Sequence, residues 1–533
     1  MERSNLASAR ATADGFSVHE TYNGRHLLIA GASGFLGKVW LSMALDRLPQ
    51  IGRIYVMMRK RGVKSARARF EEMLSTSFVF EPLHRKHGSS LSRYLSERVE
   101  IIEGDLTKPN FGMATETAKR IRERVDLLIN CAGLVEFNPD IREALSTNLD
   151  GTAHFLKFAD GCDHAALLHV STCFVAGTRQ GKISETIDPF TSPSGKKFDV
   201  ETELAKLRER ITSIVNDPRF KEMGTIERRR AIREAMIAEG TRRAEKWGWQ
   251  NTYTYTKGMA EMLLARRQTR LAWATFRPAI VESAVSYPFP GWNEGFNTCG
   301  PLTYLLGTWF RYLPAKIGNP FDIVPVDTVA SGMLSVGAAL LNRTHAEVYQ
   351  CGTSDLNLLT IDRACRLTSL SHRLHYRQHG KTLVERLIRS HWNAVTVADN
   401  HPLTVSSLRT VFRDLNQLLG EISRSPRAPR PIRAASRSFS KISQRTDRKL
   451  EQISNLLELF MPFIHDNHHV FETRNLKELK VEEEFRFQPE TLPWRDYWLN
   501  IHMPGLRRWS FPLIERKRIE SFTPETPVHL EAL

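Results

Sequence analysis

An α/β fold is what this sequence predicts: a doubly wound parallel sheet with a mainly helical C-terminal domain. Three observations carry that expectation. Short apolar runs at 26–30, 53–58, 99–102, 127–130, 167–170 and 273–276 alternate with stretches of helical pattern, and buried strands that alternate with helices fold as a parallel sheet covered on both faces. The first run leads directly into a glycine-rich turn. Beyond about residue 359 the strand pattern gives out and helical periodicity takes over.

The bulk properties allow this. At 533 residues and 41% hydrophobic content, the chain can bury a large core and divides into two or three domains. Its net charge of +16 favours an anionic partner: a phosphorylated cofactor, an acidic carrier or a membrane surface. No recognition motif accompanies the charge, so nucleic acid is not expected. The six cysteines form no Cys-x-x-Cys pair, which predicts reduced, packed thiols and no metal site. The first twenty residues carry no apolar core of a secretory signal, so the expected location is the cytoplasm. The apolar stretch 329–341 is too short for the ~20 residues of a bilayer span, which leaves peripheral contact.

In chain order, a polar segment (1–23) precedes a dinucleotide-binding domain (24–358). His26-Leu-Leu-Ile-Ala30 reads as its first strand, followed by the turn Gly31-Ala-Ser-Gly-Phe-Leu-Gly37 and a helix to about residue 48. Residues 184–249 are charge-rich and read as an inserted pair of helices. A helical segment (359–422) follows. The proline- and serine-containing run 423–431 predicts irregular backbone and opens a basic, partly flexible linker (423–449). In that linker Arg433, Arg437, Lys441, Arg445 and Arg448 recur at helical spacing, a stripe suited to an anionic membrane. The last domain spans 450–533.

The candidate chemistry falls on the sheet. Gly31, Gly34 and Gly37, placed after a strand and before a helix, are the Rossmann-type arrangement that lets backbone approach a pyrophosphate. Ser33, Phe35 and Leu36 complete the contacts of that turn. After the second strand, Arg59 stands where an NAD enzyme places a carboxylate against the ribose. A cation there suits a 2′-phosphate and predicts NADPH. Asp105 and Leu106 after the third strand, and Ala132 after the fourth, are expected to line the adenosine.

In Gln250-Asn-Thr-Tyr-Thr-Tyr-Thr-Lys257, Tyr253 and Lys257 are four apart and share a helical face, whereas Tyr255 is turned away. A neighbouring ammonium is expected to lower the Tyr253 pKa and so make it a proton donor.

With these motifs come His169-Val-Ser-Thr-Cys-Phe-Val-Ala-Gly177, Arg277-Pro-Ala-Ile-Val281, Pro288-Phe-Pro-Gly-Trp292, Ile323-Val-Pro-Val-Asp327, Phe471-Glu-Thr-Arg-Asn475 and Trp494-Arg-Asp-Tyr-Trp-Leu-Asn500. Over 24–509 the chain resembles the fatty acyl-CoA reductases of the extended short-chain dehydrogenase/reductase superfamily, and 450–533 resembles their C-terminal sterile domain. The resemblance implies a catalytic set of Thr172, or its neighbour Ser171, with Tyr253 and Lys257. It also implies NADPH as reductant and long-chain acyl-CoA, or the acyl-carrier-protein thioester, as substrate, reduced through an aldehyde to a primary alcohol. Phe289, Trp292, Phe296, Leu302, Leu305 and Trp309 are candidates for an acyl-chain tunnel. Stopping at the aldehyde, or reducing another carbonyl, would use the same three residues. Two departures stand out: the 423–449 connection is long for that family, and 81 residues separate Thr172 from Tyr253.

Overall fold

The computed structural model of the chain describes residues 15–530 apart from 268–270, 296–298, 309, 384, 392 and 425–429. It divides into two compact units, the first made of Met1–Thr298, Asp322–Asn357 and Val470–Leu533, the second of Cys299–Phe321 and Leu358–His469.

The first unit is built on a seven-stranded parallel sheet. Its strands in chain order are β1 (His26–Ala30), β2 (Arg53–Met58), β3 (Val99–Glu103), β4 (Leu127–Asn130), β5 (Ala166–Val170), then Ala272–Pro278 and Val348–Cys351. From one edge to the other they run Val348–Cys351, Ala272–Pro278, β5, β4, β1, β2, β3. The order reverses at β1, between β4 and β2, and in such sheets the ligand crevice opens at the carboxyl ends beside the reversal. All four side chains of β4 and all five of β5 are buried, the mark of strands covered on both faces. Within 184–249 lie two long helices, Val200–Val215 and Thr225–Trp247.

The C-terminal segment departs from the expected division. Residues 470–533 belong to the first unit rather than to a separate domain, because long-range hydrogen bonds hold them there. Gln350 Nε2 donates to both the Ile183 and the Glu472 carbonyls at 2.9 Å. Thr473 Oγ1 bonds Asp355, Asn357 Nδ2 donates to the Pro489 and Leu492 carbonyls, and the Tyr497 hydroxyl donates to the Ser283 carbonyl.

The second unit is mostly helical, with helices Gly300–Leu306, Ile361–His379, Val405–Arg424 and Arg430–Met461 and one short parallel pair, Tyr312–Pro314 with Val395–Val397. The linker expected at 423–449 is largely helix. Ser423 and Arg424 end one helix, residues 425–429 lie outside the described residues, and Arg430 begins a helix that runs unbroken to Met461. Pro431 sits in that helix's first turn, where a missing N–H costs no hydrogen bond. The side chains of Arg433, Arg437, Lys441 and Arg445 are outside the described residues, and Arg448 is exposed.

Candidate active site

The glycine turn follows β1. Gly31 has φ +93°, and a Cβ there would lie 2.6 Å from the Ala132 nitrogen; one at Gly37 would lie 2.2 Å from the Gly31 carbonyl oxygen. Both positions exclude any side chain, whereas a Cβ on Gly34 would meet nothing closer than 3.4 Å. Gly34 caps helix Phe35–Arg47 without a side-chain hydrogen bond, so the first N–H groups of that helix face an open side suited to a phosphate. This backbone fits a dinucleotide. Phe35 stacks on Trp292 at 5.2 Å between ring centroids, and Leu36 is half-buried.

Beside the turn, past the end of β2, lies a cavity of about 650 Å³ lined in part by Ser33, Lys38, Met58, Arg61, Lys64 and Arg69. Arg59 is exposed and does not line it. Its carbonyl instead accepts a hydrogen bond from the Arg69 guanidinium. The cations that meet this cavity are therefore Arg61, Lys64 and Arg69, with Lys38 bound to Glu294.

The remaining cofactor candidates are more occupied than their spacing suggests. One carboxylate oxygen of Asp105 accepts from the Thr107 N–H at 3.0 Å and its hydroxyl at 2.8 Å. Leu106 is buried against Gly151. The Ala132 backbone nitrogen lies against Gly31 at the carboxyl end of β4.

Tyr253, Thr172 and Lys257 come together. Thr172, in extended backbone after β5, caps a short 3-10 turn, Cys173–Ala176, by accepting from the Phe174 N–H at 3.3 Å. Its hydroxyl donates to the Pro278 carbonyl at 3.4 Å and lies close enough to the Tyr253 phenol to oppose the rise in its pKa. The Ser171 hydroxyl is buried with no hydrogen-bond partner among the described residues, and of the two neighbours it is Thr172 that lies against the phenol. Lys257 Nζ donates to the Val170 carbonyl at 2.7 Å. A Cβ on Gly133 would lie 3.2 Å from that ammonium, so the Asn130-Cys-Ala-Gly133 turn passes close over it.

The electrostatics correct one expectation. Burial raises the Tyr253 phenol above its ordinary pKa, opposed by the Thr172 hydrogen bond, and Lys257 does not bring it down. The lysine is itself perturbed: burial lowers it to about 8, with Cys131 and Glu261 opposing. Desolvation outweighs the neighbouring charges at Lys257 and the Thr172 interaction at Tyr253. On β5, His169 is held well below its usual range by burial and then by the Lys257 charge, and its Nδ1 meets Asn130 Nδ2 of β4 at 3.3 Å.

Sequence reasoning missed Asn148. It lies in a π-helical turn, Leu145–Asp150, and its side chain brackets the backbone of Leu134. Oδ1 accepts from the Leu134 N–H at 2.8 Å, while Nδ2 donates to the Leu134 carbonyl at 3.2 Å and the Thr256 hydroxyl at 3.0 Å. Asn148 thus ties the turn over Lys257 to the tyrosine helix, Thr252–Ala265. An isolated asparagine carries no sequence signal for this role.

Asp327 gives the Ile323-Val-Pro-Val-Asp327 motif a local purpose. Its carboxylate accepts from the N–H groups of Val285, Ser286 and Tyr287 at 3.0, 2.7 and 2.9 Å. This fixes the chain leading into 288–292, where Phe289 meets Trp509 and Trp292 meets Phe35. Leu302 and Leu305 are buried in the second unit. Phe296 and Trp309 lie outside the described residues.

Comparison with known proteins adds the following. A family model described as male sterility protein, an NAD-binding model, matches residues 29–333. The chain is 27% identical to fatty acyl-CoA reductase 2, chloroplastic, of Arabidopsis thaliana, over 94% of this chain and 81% of the relative. It is 26% identical to fatty acyl-CoA reductase 8 of the same plant, over 92% and 98%. To the alcohol-forming fatty acyl-CoA reductase of Simmondsia chinensis it is 25% identical, again over 92% and 98%.

Proposed function

The chain belongs to the male sterility protein family, and on that premise we propose that it is an NADPH-dependent fatty acyl-CoA reductase whose product is the primary alcohol. The observation that carries this reading is the Thr172 hydroxyl set against the Tyr253 phenol, with Lys257 held at the nearby Val170 carbonyl, on a chain similar over nine-tenths of its length to an alcohol-forming fatty acyl-CoA reductase.

Gly31, Gly34 and Gly37, with Ser33, Arg61 and Arg69 toward a 2′-phosphate, would hold the nicotinamide dinucleotide, which would supply hydride when bound. The protein's own groups handle the oxygen. Thr172 and Tyr253 both donate to the substrate carbonyl, and these donors bind its oxygen more strongly as charge develops there. A phenol kept protonated by burial holds its proton at neutral pH and releases it to an alkoxide, which is far more basic. Lys257, fixed by the Val170 carbonyl, keeps positive charge beside the tyrosine as that proton leaves.

With a thioester, the first reduction gives a hemithioacetal that expels CoA as thiolate and leaves an aldehyde; the second protonates the alcohol oxygen at the same Tyr253. Phe289, half-buried, offers apolar surface to the acyl chain, and Trp292, buried on Phe35, backs it. Acyl-carrier-protein thioesters present the same carbonyl. Among the described residues no helix is long and apolar enough to cross a membrane; we place the enzyme in the cytoplasm with peripheral membrane contact.

The test is stoichiometry. Purified protein given NADPH and a long-chain acyl-CoA should consume two NADPH per thioester and yield alcohol, and should reduce added fatty aldehyde. Free aldehyde accumulating at one NADPH per thioester, with no activity on supplied aldehyde, would overturn the alcohol-forming reading.

A further inference from the structure

In the second unit, the end of helix Ile361–His379 and the turn Glu385–Arg389 expose apolar side chains outside any core. Leu374 is 40% exposed, Leu383 74%, Leu387 58% and Ile388 44%. Cations are interleaved with them: Arg377, Lys381, Arg386 and Arg389 fall within 374–389, against the single carboxylate Glu385.

The exposure does not come from a loose chain. Arg386 Nε donates to the Gly380 carbonyl at 2.6 Å, and the Gly380 N–H donates to the Tyr376 carbonyl at 2.9 Å. The Arg389 guanidinium lies 5.3 Å from the Tyr376 ring centroid and donates to its hydroxyl at 3.3 Å. Arg386 and Arg389 tie the base of the segment to its own helix, while Leu383, Leu387 and Ile388 stay in solvent.

We propose that 374–389 is a docking element for an anionic lipid surface, with Leu383, Leu387 and Ile388 entering the interface and Arg377 and Lys381 meeting lipid headgroups. Charge complementarity favours this occupant. The second unit carries 20 Lys and Arg against 9 Asp and Glu, a net of +11 from the chain's +16. Apolar side chains bracketed by cations bind a bilayer surface by burial and electrostatics together. An acidic carrier protein would be drawn by the charge alone and would leave the leucines unexplained. The purpose of docking rests on the reductase reading, since a long-chain substrate or product partitions into a bilayer, but binding itself is measured without turnover.

The full chain is sedimented with phosphatidylcholine vesicles, with and without phosphatidylglycerol, and NADPH consumption is assayed separately on a short, soluble acyl-CoA. The triple variant Leu383→Ser, Leu387→Ser, Ile388→Ser should bind the mixed vesicles at least ~10-fold more weakly than the wild type. Arg377→Gln with Lys381→Gln should lose the preference for phosphatidylglycerol. Both variants should keep turnover of the soluble substrate and an unchanged chromatographic mass. Four results would overturn the proposal: wild-type protein that does not sediment with vesicles, a triple variant that binds as well as wild type, loss of binding only when Arg437, Lys441 and Arg445 are neutralised, or a fall in chromatographic mass that shows the leucines joining two copies. An active enzyme that ignores vesicles would sink this proposal and spare the reductase reading; an inactive chain that still binds them would do the reverse.

Discussion

The helix Thr252–Ala265 presents two tyrosines to two different regions of the first unit. Tyr253 meets the Thr172 hydroxyl at the carboxyl edge of the sheet. Tyr255 faces the inserted helices, where its hydroxyl donates to Glu203 Oε1 at 2.8 Å and Glu203 in turn pairs with Arg243 at 3.0 Å. One residue type, two positions apart, faces the proposed proton-transfer site on one side and packing on the other. Both phenols are raised by burial, so the pKa shift does not separate them; the partner does. A hydroxyl on a half-buried side chain at the carboxyl ends of the strands can meet a substrate oxygen, and one spent on a buried carboxylate cannot.

The largest effect that would break this contrast is on turnover. Tyr253→Phe should lower kcat roughly a thousandfold, within the range of a lost general acid, on acyl-CoA and aldehyde alike, with circular dichroism unchanged. Equal losses in Tyr255→Phe would end the assignment.

A second contrast between like residues concerns Arg59 and Arg61. Arg61→Gln should raise the KM for NADPH about tenfold through loss of a charge-assisted phosphate contact, leave the KM for NADH alone, and exceed any effect of Arg59→Gln. If Arg59→Gln shifted the preference instead, the 2′-phosphate would lie outside the cavity bounded by Arg61 and Arg69.

Lys257 sharpens the tyrosine comparison through pH. Its pKa in the folded protein is lowered to about 8 by burial, so the ammonium is present below that pH and is lost as pH rises through it. The kcat/KM reports the free enzyme and should therefore fall above about pH 8, while Tyr253, raised rather than lowered, stays protonated across the same window. Lys257→Arg should retain part of the activity and lose the alkaline fall, because a guanidinium does not titrate there. A profile flat to pH 10 would remove the requirement for a charged Lys257.

What the sequence revealed and what it hid divide along the same physical line. The strands of the sheet were legible because burial on both faces writes itself as continuous apolar runs, and the glycine turn because Gly31 and Gly37 answer steric demands that only glycine meets. The face shared by Tyr253 and Lys257 follows from helix geometry. Asn148 and Arg69 were not legible, since their roles depend on groups brought near by the fold. The C-terminal segment was misplaced because its attachment runs through hydrogen bonds such as Gln350 to Glu472, more than a hundred residues apart. Of the run 423–431, whose prolines predict irregular backbone, residues 425–429 lie outside the described residues, and Pro431 stands in the first turn of the helix Arg430–Met461, which holds the cations that recur at helical spacing. The Tyr253 pKa was misjudged because a neighbouring charge is visible in sequence and depth of burial is not.

The smallest effect on turnover is expected on the other face of the helix. Tyr255→Phe removes the hydroxyl that bonds Glu203, yet Glu203 keeps Arg243, which also holds Glu239 at 3.0 Å. The buried carboxylate is therefore not stranded, and the cost should be that of one hydrogen bond to a charged group, about 1.5–3 kcal/mol. The loss would fall on the inserted helices Val200–Val215 and Thr225–Trp247, whose amides should exchange faster with deuterium while the sheet stays protected. Combined with Glu203→Gln, the two changes should be less than additive, because they break the same contact. Turnover should stay within about twofold of wild type, since no member of this cluster reaches the substrate oxygen. Faster exchange in the sheet strands, or a kcat that falls with stability, would mean that the packing face also positions Tyr253, and the separation of the helix into a chemical and a structural side would fail.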